Sequence, residues 1–171
     1  MDDITIRRAT EEEAAAYRDL RLEALRDHPQ VFSSDYAAYV TRPLSYWSER
    51  LRLAGTEGVA MMYFAVRGAE LAGMCGIFCG DSPKTWHSAT VVSLYVRPPW
   101  RGRNLGERLV MVCLDWARAQ EVKAVKLAVV TTNTAAIRCY ARCGFRVYGI
   151  EPQALFYDGV FYDELMMIRT V

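Results

Sequence analysis

Ile4 to Arg8 reads as a strand, with apolar Ile4 and Ile6 on one side and polar Thr5 and Arg7 on the other. Thr10, with Glu13 three residues on, has the form of a capping box and opens a helix whose Ala14, Tyr17, Arg21 and Leu25 share one side, the arginine turned inward along its apolar stem. Leu44 to Leu53 predicts a second helix. Two apolar runs, Val59 to Val66 and Leu71 to Cys79, flank Arg67-Gly68-Ala69-Glu70 and read as a hairpin, followed by a strand that ends at Val96. The spacing over 104–119 puts Leu105, Leu109, Val112 and Trp116 on one stripe of a helix able to pack on a sheet. Ala124 to Val130 is a β-type run, Asn133 is an N-cap for a short helix closed by Gly144, and two closing strands cover 145–150 and 160–169. The order is strand, two helices, three strands, helix, strand, helix, two strands, which is a mixed α/β arrangement.

Length adds that 171 residues suit one domain with a full core, and no repeat, low-complexity tract or shift of composition divides 1–171. No run approaches a membrane span, and the Met-Asp-Asp start lacks the basic and apolar regions of a signal peptide, so a soluble cytoplasmic protein is expected, without a membrane partner. A net charge of +1 favours a small polyanion over long nucleic acid, whose binders usually carry a broad basic face, and no nucleic-acid partner is expected. The five cysteines fit neither a zinc-knuckle spacing nor a secreted disulfide framework; reduced thiols packed as small hydrophobes, and no metal site, are expected.

Candidate chemistry concentrates at 94–109. There an apolar strand passes through an Arg/Gly-rich turn into an amphipathic helix. A helix start leaves backbone N–H groups unpaired, and with the helix dipole they attract phosphate. Arg97, Arg101, Arg103 and Arg108 face only Glu107 in this window, so the positive excess is local and suits a small polyanion. A loop that binds nothing has the same ingredients. Neither a P-loop nor a three-glycine dinucleotide fingerprint is present.

The run Arg101-x-x-Asn104-x-Gly106, preceded by Val96-x-Pro98, resembles the Arg/Gln-x-x-Gly-x-Gly/Ala signature of the GNAT superfamily of acyl-CoA N-acyltransferases. A second stretch, Asn133-Thr134-Ala135-Ala136 with Tyr140 and Gly144-Phe145, is similar to the family's second motif and follows in the right order. The resemblance implies the GNAT fold: a central mixed, mostly antiparallel sheet with a parallel, splayed strand pair and flanking helices. It also implies acetyl-CoA as co-substrate. Its diphosphate would be held by Arg101, Gly102, Arg103, Asn104, Leu105, Gly106 and Glu107, and its pantetheine arm by the backbone of Leu94, Tyr95 and Val96 and by Asn133 and Ala136. Tyr140 would stand near the sulfur and protonate the leaving thiolate, although its helical spacing also suits a core tyrosine. Asn104 stands where the family has glycine. Asparagine tolerates a left-handed backbone, and with Glu107 three residues on it could instead form a capping box.

No carboxylate lies between His87 and Ser93, where some members of the family carry a base; that leaves His87 or ordered water as the proton acceptor, or capture of an already neutral amine. The resemblance puts the acceptor pocket between the first two helices and the last hairpin, where Phe32, Tyr36, Tyr39, Tyr46 and Trp47, then Phe156, Tyr157, Phe161 and Tyr162, could line it or serve as core or homodimer contacts. Glu151, Asp158, Asp163 and Glu164 lie in the same late region and could attract a cationic amine or form a solvated surface. The leading function is acetyl transfer to a primary amine on a small molecule, peptide or protein, by direct attack in a ternary complex; the alternative is a non-catalytic acyl-CoA sensor or scaffold.

Overall fold

A computed structural model of the chain describes residues 4–171, so the Met-Asp-Asp start lies outside the described residues. One seven-stranded sheet organises them, in the order β1-β2-β3-β4-β5-β7-β6. The strands are β1 (Thr5–Arg8), β2 (Ala60–Arg67), β3 (Glu70–Cys79), β4 (Ser88–Val96), β5 (Ala124–Val130), β6 (Arg146–Tyr157) and β7 (Val160–Thr170). The helices are α1 (Ala14–Asp27), α2 (Tyr36–Val40), α3 (Leu44–Leu53), α4 (Leu105–Ala119) and α5 (Thr134–Arg142). Among the described residues no helix is long and apolar enough to cross a membrane.

Alternation along β2 feeds two cores. Met61, Tyr63 and Ala65 pack with Leu105, Leu109 and Leu114 of α4, while Met62, Phe64 and Val66 turn to the opposite face and pack with Tyr17 and Leu20 of α1 and Trp47 of α3. Helices thus cover both faces. The expected inward side of α1 is buried at Ala14, Tyr17, Arg21 and Leu25. The capping pair holds, with the Thr10 N–H donating to Glu13 Oε2 at 2.9 Å, but it opens a 3-10 turn over 11–13 and α1 begins only at Ala14.

β4 and β5 form the parallel pair. They are in register only at Ser88↔Ala124, Ala89↔Val125 and Thr90↔Lys126, yet β4 runs on to Val96 and β5 to Val130, so the two strands separate toward their C-terminal ends. A bulge assists the separation. Met74 faces Tyr95 and Gly76 faces Val92, so Cys75 is opposed by both Ser93 and Leu94, and Ser93 takes a φ of 59°. The last hairpin is longer than its apolar pattern suggests: β6 reaches Tyr157, through an irregularity at Glu151–Leu155 where the Gln153 N–H donates to Asp163 Oδ1 at 2.8 Å.

Candidate active site

The separated strands open a cleft of about 880 Å³. Because β4 and β5 part within the sheet, residues from both faces reach it: Leu105, Gly106, Ala136 and Tyr140 from the α4–α5 face, and Arg21, Phe32, Ser34 and Arg50 from the α1–α3 face. Twelve of the thirteen residues expected to touch the co-substrate line it; Arg103 does not, and its guanidinium instead stands 5.2 Å from the Trp100 ring centroid.

At the start of α4 the backbone is shaped as a cradle. Asn104 is left-handed (φ 57°, ψ 19°), and its side chain makes no capping hydrogen bond. The capping-box option is therefore not the one taken. Glu107 turns to α5, where its carboxylate accepts from Arg142 Nε at 2.6 Å. The first N–H of the segment with a backbone partner is that of Arg108, on the Asn104 carbonyl at 3.0 Å, which leaves the N–H groups of Leu105, Gly106 and Glu107 at the positive end of the helix dipole. Gly102 (φ 77°) has open space around its Cα, and a Cβ on Gly106 would stand 3.3 Å from Cys139 Sγ. Both glycines leave the backbone uncovered, which fits a diphosphate.

The charge count read from the sequence is largely spent elsewhere. Arg97 Nε donates to Glu23 Oε2 at 3.0 Å, with the Tyr95 hydroxyl on the other oxygen at 3.0 Å, and Arg108 Nη2 donates to the Ile4 carbonyl at 2.9 Å. Of the four arginines only Arg101 lines the cleft, with Nε on the Val96 carbonyl at 2.9 Å and Nη2 3.1 Å from His28 Nε2. The donors this turn offers to an anion are main-chain N–H groups more than charged side chains.

Deeper in the cleft, the main chain of Leu94 to Val96 lies along the wall that β5 has left. Asn133 Oδ1 accepts from the Ala136 N–H at 3.2 Å and so caps α5, as its position predicts. Tyr140 is 8% exposed, stacks edge-on with Phe145, and its hydroxyl has no hydrogen-bond partner among the described residues. Burial, and then the neighbouring Cys75, Cys139, Cys113 and Cys143, push its phenol well above the ordinary tyrosine range, so it is protonated at neutral pH. All five cysteines are free thiols; four are buried and Cys79 is half-buried.

Of the alternatives the sequence left open for the acceptor pocket and the base, the structure takes the non-cleft one for most residues. His87 is exposed at the closed end of the β4/β5 pair, its carbonyl held by the Lys123 and Ala124 N–H groups at 2.8 and 3.1 Å, and it does not line the cleft. Phe156, Tyr157 and Phe161 project from the tip of the last hairpin, 63%, 44% and 56% exposed, and Tyr162 is likewise outside the cleft. Trp47 is fully buried against Tyr17 and Tyr46 in the α1–α3 core; among the named aromatics Phe32 alone lines the cleft. Of the four late acids only Glu164 reaches it. Burial, and then Glu151 opposite it on β6, raise its carboxyl above the ordinary glutamate range. Arg21, Arg50 and Thr132 also line the cleft. The sequence carried Arg21 only as an inward stem and offered no signal for the other two.

A profile of the Acetyltransferase (GNAT) family matches residues 16–145, and the chain belongs to that family. It is 25% identical to the L-amino acid N-acetyltransferase AaaT of Escherichia coli over 99% of each chain. The ribosomal-protein-alanine N-acetyltransferase of Brucella melitensis superposes with a TM-score of 0.85 at 21% identity, over 98% of this chain and 99% of that one. The yncA acetyltransferase structure from Salmonella typhimurium, which holds acetyl-CoA, gives 0.82 at 22% identity over 98% and 94%. The separated parallel pair within a mostly antiparallel sheet is the fold shared with these proteins.

Proposed function

We propose that the chain transfers the acetyl group of acetyl-CoA to a primary amine by direct attack within a ternary complex. The observation that carries this reading is a cleft passing through the sheet, lined on its α4–α5 face by an N–H cradle and by a protonated, unpartnered phenol. The main-chain donors at Leu105, Gly106 and Glu107 hold the diphosphate of the co-substrate, and Leu94 to Val96 align its arm, with an N–H of this strand polarising the thioester carbonyl. The thioester supplies the activated acyl carbon. Glu164, its carboxylate made more basic by burial, takes a proton from the acceptor ammonium, directly or through water. The freed amine forms the C–N bond; as the C–S bond breaks, Tyr140 gives its proton to the departing sulfur and recovers one from the new amide nitrogen. The reaction releases free coenzyme A, an N-acetylated product and one proton.

The test separates direct attack from an acetyl-enzyme. Incubated with acetyl-CoA alone, the protein keeps its intact mass and releases no thiol, and release begins only when an amine is added. A protein that gains one acetyl group before any amine is present overturns direct attack.

A further inference from the structure

Two guanidinium groups stand on the acceptor side of the cleft without a counter-charge. Arg21, on the inward side of α1, is only 5% exposed and forms no ion pair among the described residues. Its Nη2 donates to Ser34 Oγ at 3.2 Å, while its Nε and Nη1 are buried with no partner. Arg50, on α3, donates from Nη1 to the Tyr46 hydroxyl at 3.1 Å, and its Nε is likewise buried and unpartnered. Each cation rests on aromatic rings: Arg21 Cζ lies 4.7 Å from the Phe32 centroid, and Arg50 Cζ lies 5.8 and 5.7 Å from Tyr39 and Tyr46. Ring faces and phenols soften a buried charge but do not neutralise it.

A buried cation without an anion is among the most costly features a fold can retain: burial first, and then Arg50 in the same cleft, disfavour the charged form of Arg21, while half-buried Arg50 keeps its charge with the help of the Tyr17 and Tyr46 phenols. Nη1 and Nη2 of Arg21 form a fork of the kind that the two oxygens of a carboxylate match, and of the two only Nη2 is engaged, on the neutral Ser34 hydroxyl. They do not belong to the diphosphate. The N–H cradle of α4 is on the opposite face of the sheet, and the arginines come from α1 and α3. The wall contributed by β7 carries Glu164, the one late acid in the cleft, so the cavity offers both an anion acceptor and a cation acceptor.

We infer that Arg21 and Arg50 bind the carboxylate of the acceptor, and that the acceptor is a free amino acid: a small zwitterion whose amine is presented to the thioester while its carboxylate is held by the two guanidinium groups. The assignment rests on the acetyltransferase reading above. It excludes a protein N-terminus as the preferred acceptor, because the carboxylate nearest that amine is consumed in a peptide bond.

The experiment follows thiol release from acetyl-CoA with each proteinogenic L-amino acid, with the matching amino-acid amides, and with a C-terminally amidated peptide bearing a free N-terminus. At least one amino acid is acetylated, and its amide falls by 10²-fold or more in kcat/KM, as does the peptide. Arg50→Gln and Arg21→Met raise KM for the amino acid with little change in acetyl-CoA affinity, and Arg21→Met melts no lower than the parent, since it removes a charge that burial disfavours. If Arg21→Met fails to fold, Arg50→Gln carries the test. Amides or peptides acetylated as well as amino acids, or no amino acid acetylated by a protein that binds acetyl-CoA, overturn the carboxylate assignment and leave the acetyltransferase reading standing. Failure to bind acetyl-CoA overturns that reading instead.

Discussion

The carbonyl of Asn104, a residue held left-handed at φ 57°, accepts the Arg108 N–H at 3.0 Å and thereby starts α4 one residue past the turn. An asparagine in the place of the family's glycine keeps the turn because its side chain tolerates this backbone and makes no bond that competes for the open N–H groups. Asn104→Gly should therefore retain acetyl-CoA affinity and melt at the same temperature or slightly higher. Asn104→Ala should lose about 1 kcal/mol of stability, the cost of a left-handed residue without that tolerance. Denaturant titration beside calorimetry checks both, and an Asn104→Gly protein that no longer binds would show that the amide itself contacts the ligand.

Tyr140→Phe removes a hydroxyl that has no protein partner, so no donor or acceptor is orphaned and thermal stability should be unchanged or improved. Turnover should fall roughly 10²- to 10⁴-fold, the range for losing a positioned proton donor, with acetyl-CoA affinity kept. Steady-state kinetics on the folded variant decides the matter; full activity removes Tyr140 from the reaction.

Glu164 sets the expected pH dependence. Its carboxyl is raised above the reference 4.5 by burial and by Glu151, so the folded state holds this proton more tightly than the unfolded chain does. Its favourable contribution is complete below the unfolded value and is lost as pH rises through the folded one. Glu164→Gln should thus gain stability relative to the parent across that window and keep the gain at neutral pH. Activity should show the opposite use of the same group. The parent's rate should climb as Glu164 ionises, on an acidic limb above the ordinary glutamate range, and Glu164→Gln should flatten that limb and lower kcat by about 10²-fold or more. An unshifted limb in the variant would place the base elsewhere.

How far the sequence could be read follows from the range of the forces involved. Periodicity located the longer helices and the strands because it is a local signal, but it missed α2, whose five residues are too few to show a period; Asn133 and the 101–106 turn were legible because capping and left-handed geometry are also local. The basic cluster misled. Four arginines close in sequence look like one anion site, but Glu23 and the Ile4 carbonyl, distant in the chain, claim Arg97 and Arg108. The β4 bulge at Ser93 has no composition signal, since a serine at positive φ is dictated by its pairing with Cys75 of β3. Glu164 could not be told from Glu151, Asp158 and Asp163 until the register of β7 turned it toward the cleft. The aromatic clusters stayed ambiguous for a similar reason: the same residue types fill the α1–α3 core, as Trp47 does, and stand in solvent on the last hairpin, as Phe156 does.

The most direct test is calorimetric titration with acetyl-CoA of the parent and of Gly106→Glu. A side chain at Gly106 starts 3.3 Å from Cys139 Sγ and would bring a carboxylate to the helix end proposed to hold the diphosphate. Binding at roughly micromolar Kd, on the order of −8 kcal/mol, is expected for the parent and none for a folded Gly106→Glu. A parent that does not bind acetyl-CoA, or a variant that binds it equally well, would contradict the account.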